Sequence, residues 1–109
     1  MAYDEGLAQR IREELADRPD VVEKRMFGGL AFMVRGHMTV GINGDELMVR
    51  VGKEAYQDAL ARQGAREMDF TGRALKGFVY VAPEGHEADA ALAEWVSLGL
   101  SYTEALPAK

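Results

Sequence analysis

One stretch constrains the fold more than any other: Lys24-Arg25-Met26-Phe27-Gly28-Gly29-Leu30-Ala31-Phe32-Met33-Val34-Arg35-Gly36-His37-Met38-Thr39-Val40-Gly41-Ile42. It is the longest apolar run of the chain, glycine breaks it at intervals, and helical patterns flank it that need a surface to pack on. Read as strands, it gives Val21 to Phe27, a bulge or turn at Gly28-Gly29, then Leu30 to Val34. A tight turn at Arg35-Gly36-His37 follows, and Met38 to Ile42 returns antiparallel. Asn43-Gly44-Asp45 is a hairpin signal, because Asn-Gly tolerates the left-handed conformations of a two-residue loop. In Glu46 to Val51, Leu47, Val49 and Val51 alternate with Glu46, Met48 and Arg50, so one face packs and the other is mixed. Residues 22–51 are therefore expected to form a three- or four-stranded antiparallel meander.

Helices surround it. Asp4 is placed to cap a helix running to about Asp17, with Leu7, Ala8, Ile11 and Leu15 on its apolar face and Pro19 ending it. A second helix is expected from Lys53 to about Arg62, with Gly64 as its C-terminal cap. After a brief extended piece at Arg66 to Phe70, Leu75 to Val81 reads as a strand rich in aromatic and β-branched residues. Residues 86 to 106 read as one long final helix with Leu92, Trp95, Val96, Gly99, Leu100 and Leu106 on its apolar stripe. The expected architecture is α+β: a single domain over 1–109, an antiparallel β-meander packed against helices gathered mostly on one side.

Composition narrows the chemistry. The 109 residues contain no cysteine, which excludes disulfides, thiolate metal sites and cysteine nucleophiles. No charged leader precedes an apolar segment, and no apolar run approaches membrane-spanning length, so a cytoplasmic protein without membrane contact is expected. Net charge is −5 but uneven. Residues 1–23 carry three basic and seven acidic side chains, residues 24–76 nine and six, and residues 77–109 one and five. The overall sign argues against non-specific nucleic-acid binding, which needs clustered Lys and Arg.

Catalytic constellations are sparse. His37 and His86 stand alone, without metal-ligand or His-Glu-x-x-His spacing, and read as turn or surface residues. Ser97 and Ser101 lie within the last helix, away from any strained strand-to-helix elbow. The carboxylate pairs Glu13/Glu14, Asp45/Glu46 and Glu67/Asp69 read as structural rather than catalytic, with Asp45/Glu46, after a hairpin turn, solvated. Gly52-Lys53-Glu54 lacks the preceding Gly-x-x-x-x and the following Ser or Thr of a phosphate loop, and Gly28-Gly29 leads into a strand rather than a helix. No cofactor and no metal are expected. The least bland residues are basic: Lys24, Arg25, Arg35, Arg50, Arg73 and Lys76 lie in or beside strands. Arg50 follows Met48 with period two, so both leave one sheet face, and if Arg25 and Lys76 share it, a positive, methionine-lined patch results. Met26, Met33, Met38, Met48 and Met68 either fill the core or line an exposed face that docks a partner or a second copy.

The motifs Arg25-Met26-Phe27-Gly28-Gly29, Phe32-Met33, Gly36, Leu47-Met48-Val49-Arg50-Val51-Gly52, Met68-Asp69-Phe70-Thr71-Gly72 and Lys76-Gly77-Phe78-Val79-Tyr80-Val81 resemble the N-terminal domain of the TfoX/Sxy family, from about residue 5 to residue 106. The resemblance implies a small α+β domain and a regulatory role. The best-known members are bacterial regulators of natural competence that act with a cyclic-AMP-responsive transcription activator. Those regulators carry a second, helical domain, and this chain ends at Lys109, so it is expected to be the N-terminal domain alone. The family supplies no catalytic residues to carry over. Family-like structural positions are Met26, Phe27, Gly28, Gly29, Gly72 and Gly77, and the expected interaction surface is Lys24, Arg25, Met48, Arg50, Arg73 and Lys76. The expected function is a non-enzymatic regulatory or adaptor domain, related to transcription or competence, that binds a protein partner and forms a homodimer. The alternatives are direct nucleic-acid binding through the basic residues, and a small-ligand-binding protein or an enzyme of unrecognised type.

Overall fold

A computed structural model describes residues 3–26, 28–70 and 73–107. The apolar run becomes three strands, β1 (Val21–Met26), β2 (Gly29–Val34) and β3 (His37–Asn43), and β4 (Glu46–Arg50) completes a four-stranded meander. The Gly28-Gly29 break is a reversal rather than a bulge, because Met26 pairs with Gly29 and Arg25 with Leu30 in an antiparallel hairpin. Arg35 and Gly36 both have positive φ, 55° and 86°, the conformation that matches the twist of a tight hairpin. In the next hairpin Asn43 pairs with Glu46, so the loop is Gly44-Asp45, and Gly44 carries the positive φ rather than Asn43.

Helix α1 (Glu5–Glu14) precedes the meander, and its first turn is capped by Asp4, whose carboxylate accepts from the Leu7 amide at 3.1 Å. After β4 come α2 (Gly52–Leu60), β5 (Ala65–Phe70) and β6 (Arg73–Val81). Gly64 lies beyond the end of α2, where its carbonyl accepts from the Ala82 amide. The chain returns so that β6 pairs with β4 and β5 lies outermost, giving an all-antiparallel sheet in the order β1-β2-β3-β4-β6-β5.

The last helical segment is two helices, α3 (Pro83–His86) and α4 (Asp89–Glu104), rather than one. The break has a packing cause. Ala88 is extended, and Arg10 of α1 fills the corner with its guanidinium donating to the carbonyls of His86 and Glu87, at 2.8 and 3.0 Å. Gly85 presses on the Gln63 carbonyl and accepts the Trp95 indole N–H at 3.2 Å.

The helices lie on one side of the sheet. Leu7, Ile11, Phe32, Val40, Ile42, Leu47, Val49, Val79, Val81, Leu92, Trp95 and Val96 form the main core there, all almost fully buried. Burying such side chains is the dominant stabilising contribution, roughly 1.5–3 kcal/mol each. A smaller cluster of Ala31, Met38, Met48, Met68 and Tyr80, with Met33 and Phe78 at its margin, occupies the other side. Gly41 is part of that arrangement, since a Cβ there would sit 2.8 Å from the Met48 Cε.

Both histidines are internal, contrary to the surface reading. Nε2 of His37 donates to the Pro107 carbonyl at 2.6 Å, and Nε2 of His86 to the Asp45 carbonyl at 3.0 Å. Each ring anchors a distant segment: the chain after α4 to β3, and α3 to the β3–β4 hairpin. A lone histidine within an apolar neighbourhood gave no sign of such distant carbonyl partners.

Candidate functional site

Among the basic residues, the structure brings together Arg50 and Lys76 and separates them from Lys24 and Arg25. β1 is an edge strand, three strand steps from β4, or about 14 Å. Val21 packs on the core and Glu23 pairs with Arg12 of α1, so alternation sets Arg25 on the helix side and Lys24 on the other. Met48 is fully buried in the cluster on the side away from the helices, so it supplies packing rather than contact surface, whereas Arg50 reaches Tyr102 near the end of the last helix. Arg73 opens β6, and Met26 and Gly29 pair where β1 meets β2. Phe27, Thr71 and Gly72 lie outside the described residues.

The junction of β4 and α2 is built on glycine. Gly52 has φ of +82°, and a Cβ there would lie 2.4 Å from the Tyr102 ring of α4. Gly77 has φ of +95°, and its own missing Cβ would be 3.4 Å from the backbone of Gly52. The Val51 amide donates to the Gly77 carbonyl at 2.7 Å. Two segments of the chain thus meet beside an aromatic ring: a side chain on Gly52 would strike that ring, and one on Gly77 would have to hold a left-handed backbone.

Beside this junction a half-open groove of about 810 Å³ runs between the start of α2, the later turns of α4 and the middle of β6. Arg50, Lys53 and Lys76 line it, with Glu54 as the one carboxylate. Arg50 is held between rings, its guanidinium carbon 5.5 Å from the centre of Phe78 and 5.3 Å from that of Tyr102. Such stacking favours the cation and fixes its plane. No acid pairs with Arg50, Lys53 or Lys76 among the described residues, whereas Arg12, Arg18, Arg62 and Arg66 all have carboxylate partners. The start of α2 also faces the groove. Val51 precedes the helix in a helical conformation, and no side chain caps the first turn. Those amides add partial positive charge.

Arg50 and Lys76, read from the sequence as interaction residues, and Gly77, read as a structural position, line the groove; Lys53, Phe78 and Tyr102 line it too and were not read as parts of one site. Lys53 was set aside with the phosphate-loop reading, and that motif is indeed absent. The groove arises instead from chain segments 20 residues and more apart, which only the tertiary fold joins. Ser101 lies in the groove wall and is exposed, while Ser97 is exposed elsewhere on α4. No group of three or more His, Asp or Glu placed to hold a metal occurs among the described residues.

No helix among the described residues is long and apolar enough to cross a membrane. Comparison with curated proteins and with solved structures returned no match. The family model described as the TfoX N-terminal domain matches residues 13–103, a span reaching from α1 into the last turn of α4 and containing every strand and all of the groove's lining residues but Ala105. The chain therefore belongs to the family of the TfoX N-terminal domain.

Proposed function

We propose that this chain is a regulatory domain, related to competence or transcription, that works by binding a protein partner rather than by catalysis, and that the α2–α4–β6 groove is where the partner docks. The observation that carries this reading is the convergence of Arg50, Lys53 and Lys76 on one groove with no acid partner among the described residues, in a chain whose net charge is −5. A folded protein ordinarily neutralises or disperses such charges. Here Phe78 and Tyr102 instead hold one of them in place beside apolar walls. The matching partner is an acidic segment: its carboxylates meet the cations and its apolar side chains meet the rings. Duplex DNA fits less well, because the cations sit within a groove beside a chain that is acidic elsewhere.

The test is fluorescence anisotropy with three labelled probes: an acidic dodecapeptide carrying apolar residues, a DNA duplex and a DNA single strand, each at low and near-physiological salt. Saturable binding of the peptide, weakened by salt and abolished by Lys53→Glu with Lys76→Glu, is expected, with flat curves for both DNAs. Binding of either DNA, with none of the peptide, overturns the reading and favours direct nucleic-acid recognition.

A further inference from the structure

We infer that the groove also takes a small phosphate monoester with an aromatic or apolar body, and that this ligand controls whether an acidic partner can dock. The inference rests on the groove being the docking site, and it names that site's regulation.

The charge pattern argues for phosphate over a single carboxylate. Three cations against one carboxylate, next to an uncapped nine-residue helix, leave an excess positive charge that a dianion neutralises better than a monoanion. Arg50 supplies the geometric element. Its guanidinium is oriented by Phe78 and Tyr102, so its donor edge is fixed before any ligand arrives, and bidentate pairing with phosphate oxygens needs that planarity. Lys53 and Lys76 are exposed at the rim, where flexible point charges close over an anion without costing the fold. The remainder of the groove is a different surface. Leu98 and the two rings form a wall with no obligatory polar partner, suited to a flat or apolar body. The volume of about 810 Å³ lies within the range of sites for small organic ligands, roughly 300–1,000 Å³. A ligand filling it occupies the same cations that an acidic segment would use, so the two exclude each other.

Phenyl phosphate is the simplest probe with both halves, and inorganic phosphate and phenol each carry one. The experiment is a titration of the ¹⁵N-labelled chain with all three, following backbone amide shifts. Phenyl phosphate is expected to saturate with a Kd on the order of 0.1–1 mM, moving the amides of residues 50–54, 76–78 and 101–105. Inorganic phosphate should move the same amides more weakly, and phenol should leave residues 50–54 unmoved. Lys53→Gln with Lys76→Gln, both at exposed positions, should weaken phenyl phosphate binding at least tenfold. Phenyl phosphate should also displace the labelled acidic peptide. Shifts that are absent, that grow without saturating, that lie elsewhere or that survive the double substitution overturn the inference. If they do so while the peptide still binds, the docking reading stands and only the ligand falls. If the peptide does not bind either, both fall.

Discussion

Helix α4 meets the rest of the molecule in two ways along its length. One face is closed from Leu92 to Thr103. Leu92, Trp95 and Val96 are almost fully buried, and a Cβ on Gly99 would lie 2.8 Å from the Thr39 carbonyl. Thr39 and Thr103 satisfy each other there through hydroxyls 2.9 Å apart. On the neighbouring face, toward α2, the later turns are open. Leu98, Ser101, Tyr102 and Ala105 line a groove, and Tyr102 is half-buried over Gly52. One helix thus serves as core on one face and as the wall of a site on another. Mean hydropathy along the helix would not separate the two. The difference is set by what stands opposite, strands β3 and β4 in one case and the sparse start of α2 in the other.

The largest expected effect tests the closed face. Trp95→Ala removes a buried indole and its bond to Gly85, and should cost about 3–5 kcal/mol of unfolding free energy. Tyr102→Ala, on the open face, should cost about 1 kcal/mol. Urea denaturation of both variants decides the matter. Equal losses would make the groove wall part of the core and dissolve the contrast.

Gly52 sharpens it. An alanine there must hold a left-handed backbone, at about 1–2 kcal/mol, and must also push the Tyr102 ring aside. Gly52→Ala alone should therefore cost more than the backbone term. In a Tyr102→Ala background the steric part should vanish, leaving about 1–2 kcal/mol. If the cost is the same in both backgrounds, the ring does not rest on Gly52.

These positions show why part of the molecule was legible in the sequence and part was not. The meander could be read because Leu47, Val49 and Val51 alternate and because Gly36 and Gly44 mark reversals, signals that operate over a few residues. Asp4 was readable as a cap for the same reason. The place of β6 between β4 and β5 was not readable, because pairing Val49 with Val79 depends on packing across 30 residues. The break between α3 and α4 was hidden because Arg10, 76 residues away, holds it. For the site, period two expects Met48 and Arg50 on one side of the sheet. It could not tell that Met48 is sealed under Tyr80 and Met68 while Arg50, at the strand end, reaches Tyr102 of α4. Burial, and contact with a distant helix, decide between packing residue and site residue.

A smaller effect comes from the closed face of α2. Tyr56 is buried, and its hydroxyl donates to Glu67 at 3.4 Å. Burial first, and then the Glu67 charge, raise its pKa above the ordinary value near 10. The unfolded chain therefore loses this proton before the native state does. Between the ordinary value and the raised one the native state binds more protons, so stability falls as pH rises through that window. Tyr56→Phe should flatten the decline in denaturant midpoint above about pH 10 relative to the parent chain. An unchanged slope would mean that another group governs it.

The smallest expected effect on stability belongs to Lys53 and Lys76. Both are exposed and neither has an acid partner among the described residues, so replacing each with glutamine should shift unfolding free energy by less than about 0.5 kcal/mol. The sign is informative. Removing a cation from beside Arg50 and the positive end of α2 relieves repulsion, so the double variant should unfold at equal or slightly higher urea than the parent. A clear destabilisation would show that the lysines support the fold, as Arg12 and Arg18 do through their carboxylates, and would take away the reason to regard the groove as a site. Neutral or improved stability, joined to lost binding of an acidic peptide, means that the charges are held together against their own repulsion for a ligand. That separation of stability from binding is what the open face of α4 predicts and the closed face forbids.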